Sequence, residues 1–323
     1  MSPVTPCNSF ICALKRAMIL FLIVVGAGLI GCDAPPDKVP IHQRHVVVLT
    51  TTGMIADAVR NIGQDRVSVH ALMGPGVDPH LYKASAGDVT RMMNADIIFY
   101  NGLHLEAKLG DILAVTGETR PVIAIAEAIS KQYLIQPSRD AGLYDPHIWF
   151  SVPLWQKAIT SVTAALIACD PHHESMYQKN ADAYYQKLTQ LHDDIKRHLN
   201  TVPKTRRVVL TAHDAFGYFG QTYGYRVSGL QGMSTASEAS VADVNRLVDQ
   251  IIAEEIPAIF IETAIPKRNI QAVQDAVAAR GHSVKIGGHL FADAMGESGT
   301  AEGTYVGMVW HNVRTIVSAL RPF

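Results

Sequence analysis

Two stretches of this chain present an imidazole from a loop with little freedom to lose. Asp78-Pro79-His80 and Asp145-Pro146-His147 are the same tripeptide, each placed downstream of an apolar run. Proline removes a backbone donor and fixes φ, so the histidine that follows sits on a stiff turn and gives up little entropy when it binds a ligand. Stiff imidazoles suit metal ions. Asp-Pro is also a common turn opener, and either copy alone would read as an incidental loop histidine. What decides between these readings is where the surrounding elements put the two loops.

Those elements alternate. His45 to Thr51 is a β-branched run, Met54 to Ile62 an amphipathic helix, Val67 to Met73 a second strand and Ser85 to Asn94 a helix opened by the capping pair Ser85 and Asp88. Asp96 to Tyr100 and Pro121 to Ile125 read as the third and fourth strands. Pro153 to Ala168 is helical by period. From about His172 to Leu199 there is neither glycine nor proline, which predicts a rod of roughly 42 Å at 1.5 Å per residue. A second alternation follows, with strands at Arg207 to Ala212, Tyr225 to Gly229, Pro257 to Glu262 and His282 to Ile286. Its helices are expected at Asp214 to Tyr223, Ser240 to Glu255, Lys267 to Ala279 and Tyr305 to Leu320. The expected fold class is α/β, with two (β/α)4 lobes of mainly parallel four-stranded sheets joined by one long rigid helix. The expected divisions are 1–31 signal peptide, 32–44 tether, 45–169 first lobe, 170–203 linking helix and 204–323 second lobe.

Composition narrows the partners. The chain has 323 residues, 48% hydrophobic and 18% charged, enough for two lobes, and its formal net charge of -1 supplies no basic field for nucleic acid. Its four cysteines, Cys7, Cys12, Cys32 and Cys169, do not form a disulfide framework. Lys15 and Arg16 precede the apolar run Ala17 to Gly31, which is short for a membrane span but suits an export signal. The run ends in Leu29-Ile30-Gly31-Cys32, which resembles a bacterial lipobox with Cys32 as the lipidated residue. Cys169 is then left as a lone thiol. Gly26-Ala27-Gly28-Leu29-Ile30-Gly31 matches the dinucleotide fingerprint on paper, but Pro35 and Pro36 follow where a helix would be required.

Open parallel sheets bind ligands beyond the carboxyl ends of their strands. That rule selects among the fourteen histidines. His80 lies past the second strand, His147 past the fourth, His213 at the end of the first strand of the second lobe, and Asp293 past its last strand. Three imidazoles and one carboxylate meeting in a cleft would close a shell around a borderline divalent cation. Asp78 and Asp145 are candidates to brace nearby imidazoles or amides. His172-His173 looks like a metal pair, yet neighbours on a helix point about 100° apart, so a solvated helix start is expected there. His42, His45, His282, His289 and His311 lack partners at ligand-like positions.

Gly76-Val77-Asp78-Pro79-His80, Asp145-Pro146-His147-Ile148-Trp149, Thr211-Ala212-His213-Asp214-Ala215-Phe216-Gly217-Tyr218-Phe219 and Glu302-Gly303-Thr304-Tyr305 together resemble the TroA-like zinc and manganese substrate-binding lipoproteins of bacterial ABC transporters. The resemblance covers almost the whole chain after Cys32. It implies that His80, His147, His213 and Asp293 hold one Zn2+ or Mn2+ as transported cargo, and that the partners are a membrane permease and its cytoplasmic ATPase. It further implies an extracytoplasmic protein anchored through Cys32, and a monomer is expected. Members delivering manganese often carry glutamate where this chain has His213. A zinc-dependent hydrolase and an adhesin-like surface lipoprotein are the competing readings, but no H-E-x-x-H, G-x-S-x-G, Walker lysine loop or C-x-x-C is present. Since each imidazole must be neutral to bind, affinity is expected to fall below about pH 6.5, the unperturbed imidazole value.

Lipidation at Cys32 has a direct test. Intact-mass measurement of membrane-extracted protein should show a mature chain that starts at an acylated Cys32, and Cys32→Ala should release the protein from membranes while leaving metal binding unchanged. A mature chain with another start and an unmodified Cys32 would rule the anchor out.

Overall fold

The computed structural model describes residues 39–136 and 142–322, so Cys32, the signal segment and most of the tether lie outside the described residues. Four short apolar runs, β1 (Val46–Thr50), β2 (Val67–Ala71), β3 (Ile97–Tyr100) and β4 (Val122–Ala124), pair in parallel in the order β2-β1-β3-β4. The central strands β1 and β3 are almost wholly buried, as expected of a parallel sheet covered on both faces. Helices α1 (Gly53–Gly63), α2 (Ala86–Asn94) and α3 (Gly110–Gly117) make the crossovers. Ser85 caps α2 as its sequence requires: its hydroxyl accepts the Asp88 amide and Asp88 reaches back to Ser85 in a capping box.

The chain then runs through α4 (Val152–Ala158) and α5 (Thr160–Cys169) into α6 (Glu174–Leu199). The helix expected at Pro153 to Ala168 is therefore two, meeting at Ile159, which caps the end of the first and the start of the second. Helix α6 holds 26 residues, about 39 Å at the standard rise. It buries Tyr177, Ala181, Tyr184, Leu188, Leu191, Ile195 and Leu199, a stripe at i+3, i+4 and i+7 spacing that turns one face inward along the whole rod.

The second lobe contains β5 (Val208–His213), α7 (Gly217–Tyr223), β6 (Arg226–Gln231), α8 (Val241–Ala253), β7 (Ala258–Glu262), α9 (Arg268–Ala279), β8 (Lys285–Leu290) and α10 (Tyr305–Leu320). The strands are parallel but hydrogen-bond as two pairs, β5 with β6 and β7 with β8, with β5 and β7 side by side. At the carboxyl end of β5 the His213 amide is taken by the Glu262 side chain. The last strand also begins three residues later and runs further than the sequence suggests. Gly287 and Gly288 lie inside β8, where a Cβ on Gly287 would come within 2.7 Å of Phe260 and 2.8 Å of Ala319. They are glycines of close approach.

Residues 41–44, assigned to the tether from sequence, belong to the compact unit that starts at Ile41. Ile41–Gln43 forms a 3-10 turn, and the Arg44 guanidinium holds both oxygens of Asp96 at 2.5 and 2.7 Å. Polar composition there signals a paired surface rather than free chain.

One apolar cluster runs without interruption from Val46 and Phe99 through Tyr184 and Leu188 on α6 to Phe260, Tyr305 and Ile316. Opening the cleft widely would tear that core, so the expected response to metal is small. Small-angle scattering profiles of metal-free and zinc-loaded protein should nearly superimpose. A domain closure of many degrees would contradict the continuous core.

Candidate metal centre

Both Asp-Pro-His tripeptides fold into the same turn. Asp78 Oδ1 accepts the His80 amide at 2.9 Å, and Asp145 Oδ1 accepts the His147 amide at 2.9 Å. Each aspartate thus closes a ring over its proline and fixes where the histidine starts. Beyond the turn the two copies diverge. His147 Nδ1 lies 2.7 Å from the same Asp145 oxygen, whereas the second oxygen of Asp78 accepts the Thr235 hydroxyl from the other lobe at 2.6 Å. Asp145 therefore braces its imidazole as expected from sequence; Asp78 braces only the backbone.

His213 ends β5, where its amide donates to Glu262 Oε1 at 2.9 Å and its Nδ1 meets Glu262 Oε2 at 2.5 Å. With Nδ1 of His147 and of His213 engaged by carboxylates, each ring turns Nε2 into the cleft. Asp293 arrives three residues beyond β8. Its Oδ2 lies 3.2 Å from His213 Nε2 and 3.6 Å from His80 Nε2, and its Oδ1 lies 3.4 Å from His147 Nε2. The Nε2 atoms of His147 and His213 are 3.4 Å apart.

These spacings fit an ion. Tetrahedral donors at zinc–nitrogen bond lengths of about 2.0–2.1 Å stand about 3.3 Å from one another. All four residues are buried, and one ligand atom from each can be chosen so that all lie within 4.8 Å. Neither oxygen of Asp293 has a hydrogen-bond partner, nor does His80 Nε2. Buried polar atoms left in this state need an explanation, and a shared cation gives one. Among the described residues this is the one such grouping of three or more potential ligands.

A family model described as ZnuA, zinc-uptake complex component A, periplasmic, matches residues 48–319. The chain belongs to this family. It is 50% identical over 288 residues to the zinc-binding protein TroA of Treponema pallidum, covering 89% of this chain and 91% of that protein. It is 44% identical over 308 residues to the manganese-binding lipoprotein MntA of Bacillus subtilis, covering 95% and 100%. The solved structure of the periplasmic zinc-binding TroA from Treponema pallidum superposes with a TM-score of 0.84, covering 86% of this chain and all of that one. Mn-bound periplasmic metal-binding protein from Candidatus Liberibacter asiaticus superposes at 0.76 with 26% identity, covering 85% and 99%.

Several groups that position this centre were not singled out from sequence. Glu262 is the clearest, and the strand-end rule that found His213 also applies to it, since it closes β7. The loop before His147 is held by Asn101 Nδ2 on the Pro146 carbonyl at 3.0 Å and by the Tyr218 hydroxyl on the Asp145 carbonyl at 2.8 Å. Asn101 opens a turn in which Gly102, Leu103 and His104 all have positive φ. That turn is wound around Glu106, whose carboxylate accepts the amides of Asn101 and Gly102 and the Thr51 hydroxyl. Other histidines stay out of the centre: His173 pairs with Asp170, His42 stacks on His172, and His311 Nε2 donates to the His289 carbonyl.

Protonation follows from this wiring. Burial drives the His80 pKa down to about 3, and nearby Asp293 offsets this only in part. Burial acts the same way on His147, but Asp145 and Asp293 outweigh it and push it up to about 9. On His213 the carboxylates of Glu262 and Asp293 likewise overcome burial and hold the value well above the ordinary imidazole range. Burial would raise Asp293, yet His213 and His147 keep it well below the usual carboxylate range. These directions favour an ionised Asp293 and a neutral His80, with His147 and His213 holding their protons more firmly than free imidazoles do.

The pH window moves accordingly. Both imidazoles must lose a proton to bind, so affinity should climb with pH toward about 9 rather than level off above 6.5. Calorimetric titration with zinc at pH 7 in buffers of different ionisation enthalpy should report a net release of protons on binding. Glu262→Gln removes the charge that raises His213, and should reduce both the released protons and the zinc affinity, the latter by about 10–100-fold. Zinc binding without proton release would contradict this protonation pattern.

Proposed function

We propose that the chain captures one divalent transition metal ion, zinc or manganese, outside the cytoplasm and delivers it to an ABC importer. In this reading His80, His147, His213 and Asp293 are the ligands, with His147 and His213 held by Asp145 and Glu262. The observation that carries it is the convergence of three imidazole Nε2 atoms on a buried carboxylate that has no hydrogen-bond partner. The related proteins named as binding zinc and as binding manganese agree with a cargo of this class. Residues 45–169 and 204–323 serve as the two metal-binding lobes and 170–203 as the link. Cys32 carries the membrane anchor, the protein acts as a monomer, and its partners are a permease and the permease's ATPase.

Transport is favoured over hydrolysis by the shell itself. Catalytic zinc keeps an open position for water, whereas four protein donors at these spacings fill a tetrahedron. Imidazole is a better donor to zinc than to manganese, and the intrinsic affinity order places manganese lowest. His213 supplies nitrogen where a carboxylate would supply a hard anionic oxygen. In chelator-buffered competition at fixed pH, zinc should outcompete manganese at equal free concentration. Replacing His80, His147 or His213 with Ala should each weaken zinc by more than the roughly 10–100-fold that losing an outer hydrogen-bond partner costs, with Asp293→Ala comparable or somewhat milder. Manganese winning that competition, or His213→Ala binding zinc as tightly as the parent, would falsify this shell.

A further inference from the structure

His147 and Asp293 come from opposite lobes, so the distance between them depends on what ties their loops together. The Asp293 carboxylate faces only imidazole nitrogens of the centre and is held by no group outside it, so its place depends on its loop. Its backbone must do it. Phe291 is clamped within the second lobe by Asn312, which accepts the Phe291 amide at 2.9 Å and donates to its carbonyl at 2.7 Å. The next carbonyl, that of Ala292, accepts the indole N–H of Trp149 at 3.0 Å from across the cleft.

Trp149 stands two residues after His147 and meets the imidazole edge-on, with ring centroids 5.3 Å apart. Its own carbonyl accepts the hydroxyl of Tyr305, which opens α10 at the far end of the Asp293 loop, at 2.8 Å. Trp149 is thus bonded to the second lobe on both sides of Asp293, once by side chain and once by main chain. Both aromatic residues are fully enclosed, at 1% and 0% exposure, so water cannot substitute for either bond. An indole has two side-chain torsions and a rigid frame, which makes it a spacer of fixed length.

We infer that Trp149 is a positioning residue that sets the separation of His147 from Asp293, and through it the size of the metal hole and the preference for zinc over manganese. This rests on the ligand assignment proposed above. The ground is geometric: the Asp293–His147 spacing of 3.4 Å matches the short bonds of zinc, and the Trp149–Ala292 bond joins the residues flanking that pair. A loosened hole penalises the ion with the shorter bonds more.

Trp149→Phe keeps an aromatic frame and removes the N–H. Chelator-buffered titrations of the full-length protein with zinc and with manganese should show zinc affinity down about 10–100-fold, manganese less affected and the ratio narrowed. In an Asp293→Ala background the same substitution should change zinc affinity by less than about 2-fold, because the tie then has no carboxylate to place. A purely structural role predicts losses that add in that background and leave the ratio alone. Tyr305→Phe cuts the main-chain tie without touching the indole and should narrow the ratio in the same direction, which keeps the test decisive should Trp149→Phe not fold. An unchanged ratio in the folded variant, or additive losses, overturns the positioning role. His147→Ala is measured alongside: if it binds zinc like the parent, the ligand assignment itself fails, and if it does not, a negative result with Trp149→Phe tells against the spacer alone.

Discussion

The constraint on which this structure depends is a buried carboxylate with no donor of its own. An isolated ionised carboxylate in a low-dielectric interior costs several kcal/mol even after relaxation, and proteins normally offset that with amides, hydroxyls or a guanidinium. Asp293 has none of these. Its surroundings are imidazole edges, and each comes from a different loop. Proton-bearing imidazoles beside it offset part of that cost, and a divalent ion at the same place would offset it too.

Everything else serves to keep four short side chains within a few ångströms while they belong to separate segments. Parallel sheets bring the loops to one edge of each lobe, which is the general advantage of the architecture. The Asp-Pro-His turns remove the slack from two of the loops, and β5 delivers His213 directly from a strand end. The lobes do not meet as independent bodies, because Tyr177 to Leu199 on α6 and Tyr305 to Leu320 on α10 belong to one core with β1 and β3. Precision at the centre is therefore inherited from the core, and the loops need only small adjustments to admit or release an ion.

Much of this was legible in the sequence, and the parts that were not share a physical cause. The meeting of His80, His147, His213 and Asp293 followed from strand-end position, and the capping box at Ser85, the unbroken α6 and the bounds of α10 followed from local pattern. Glu262 was missed because its partner His213 is forty-nine residues away, and no local rule joins the ends of adjacent strands. The strand expected at His282 to Ile286 lies at Lys285–Leu290, where Gly287 and Gly288 fit because Phe260, Ala319 and Thr315 leave no room for a Cβ. Cleft-spanning bonds such as Asp78 with Thr235 and Trp149 with Ala292 are likewise invisible until the lobes are assembled.

The two Asp-Pro-His copies diverge in what their aspartates hold. In the second copy, aspartate engages the imidazole and raises its pKa, which makes His147 a strong donor once deprotonated. In the first, aspartate engages the backbone and the opposite lobe, and His80 is left neutral with its Nε2 unpaired. His80 competes with no proton at physiological pH and gives up no ion pair when it leaves. In the proposed shell it differs in this from His147 and His213, each of which has a carboxylate on its Nδ1. Two of the four groups, His147 and His213, are thus held by a carboxylate behind the ring, and His80 and Asp293 owe their positions to the backbone of their loops.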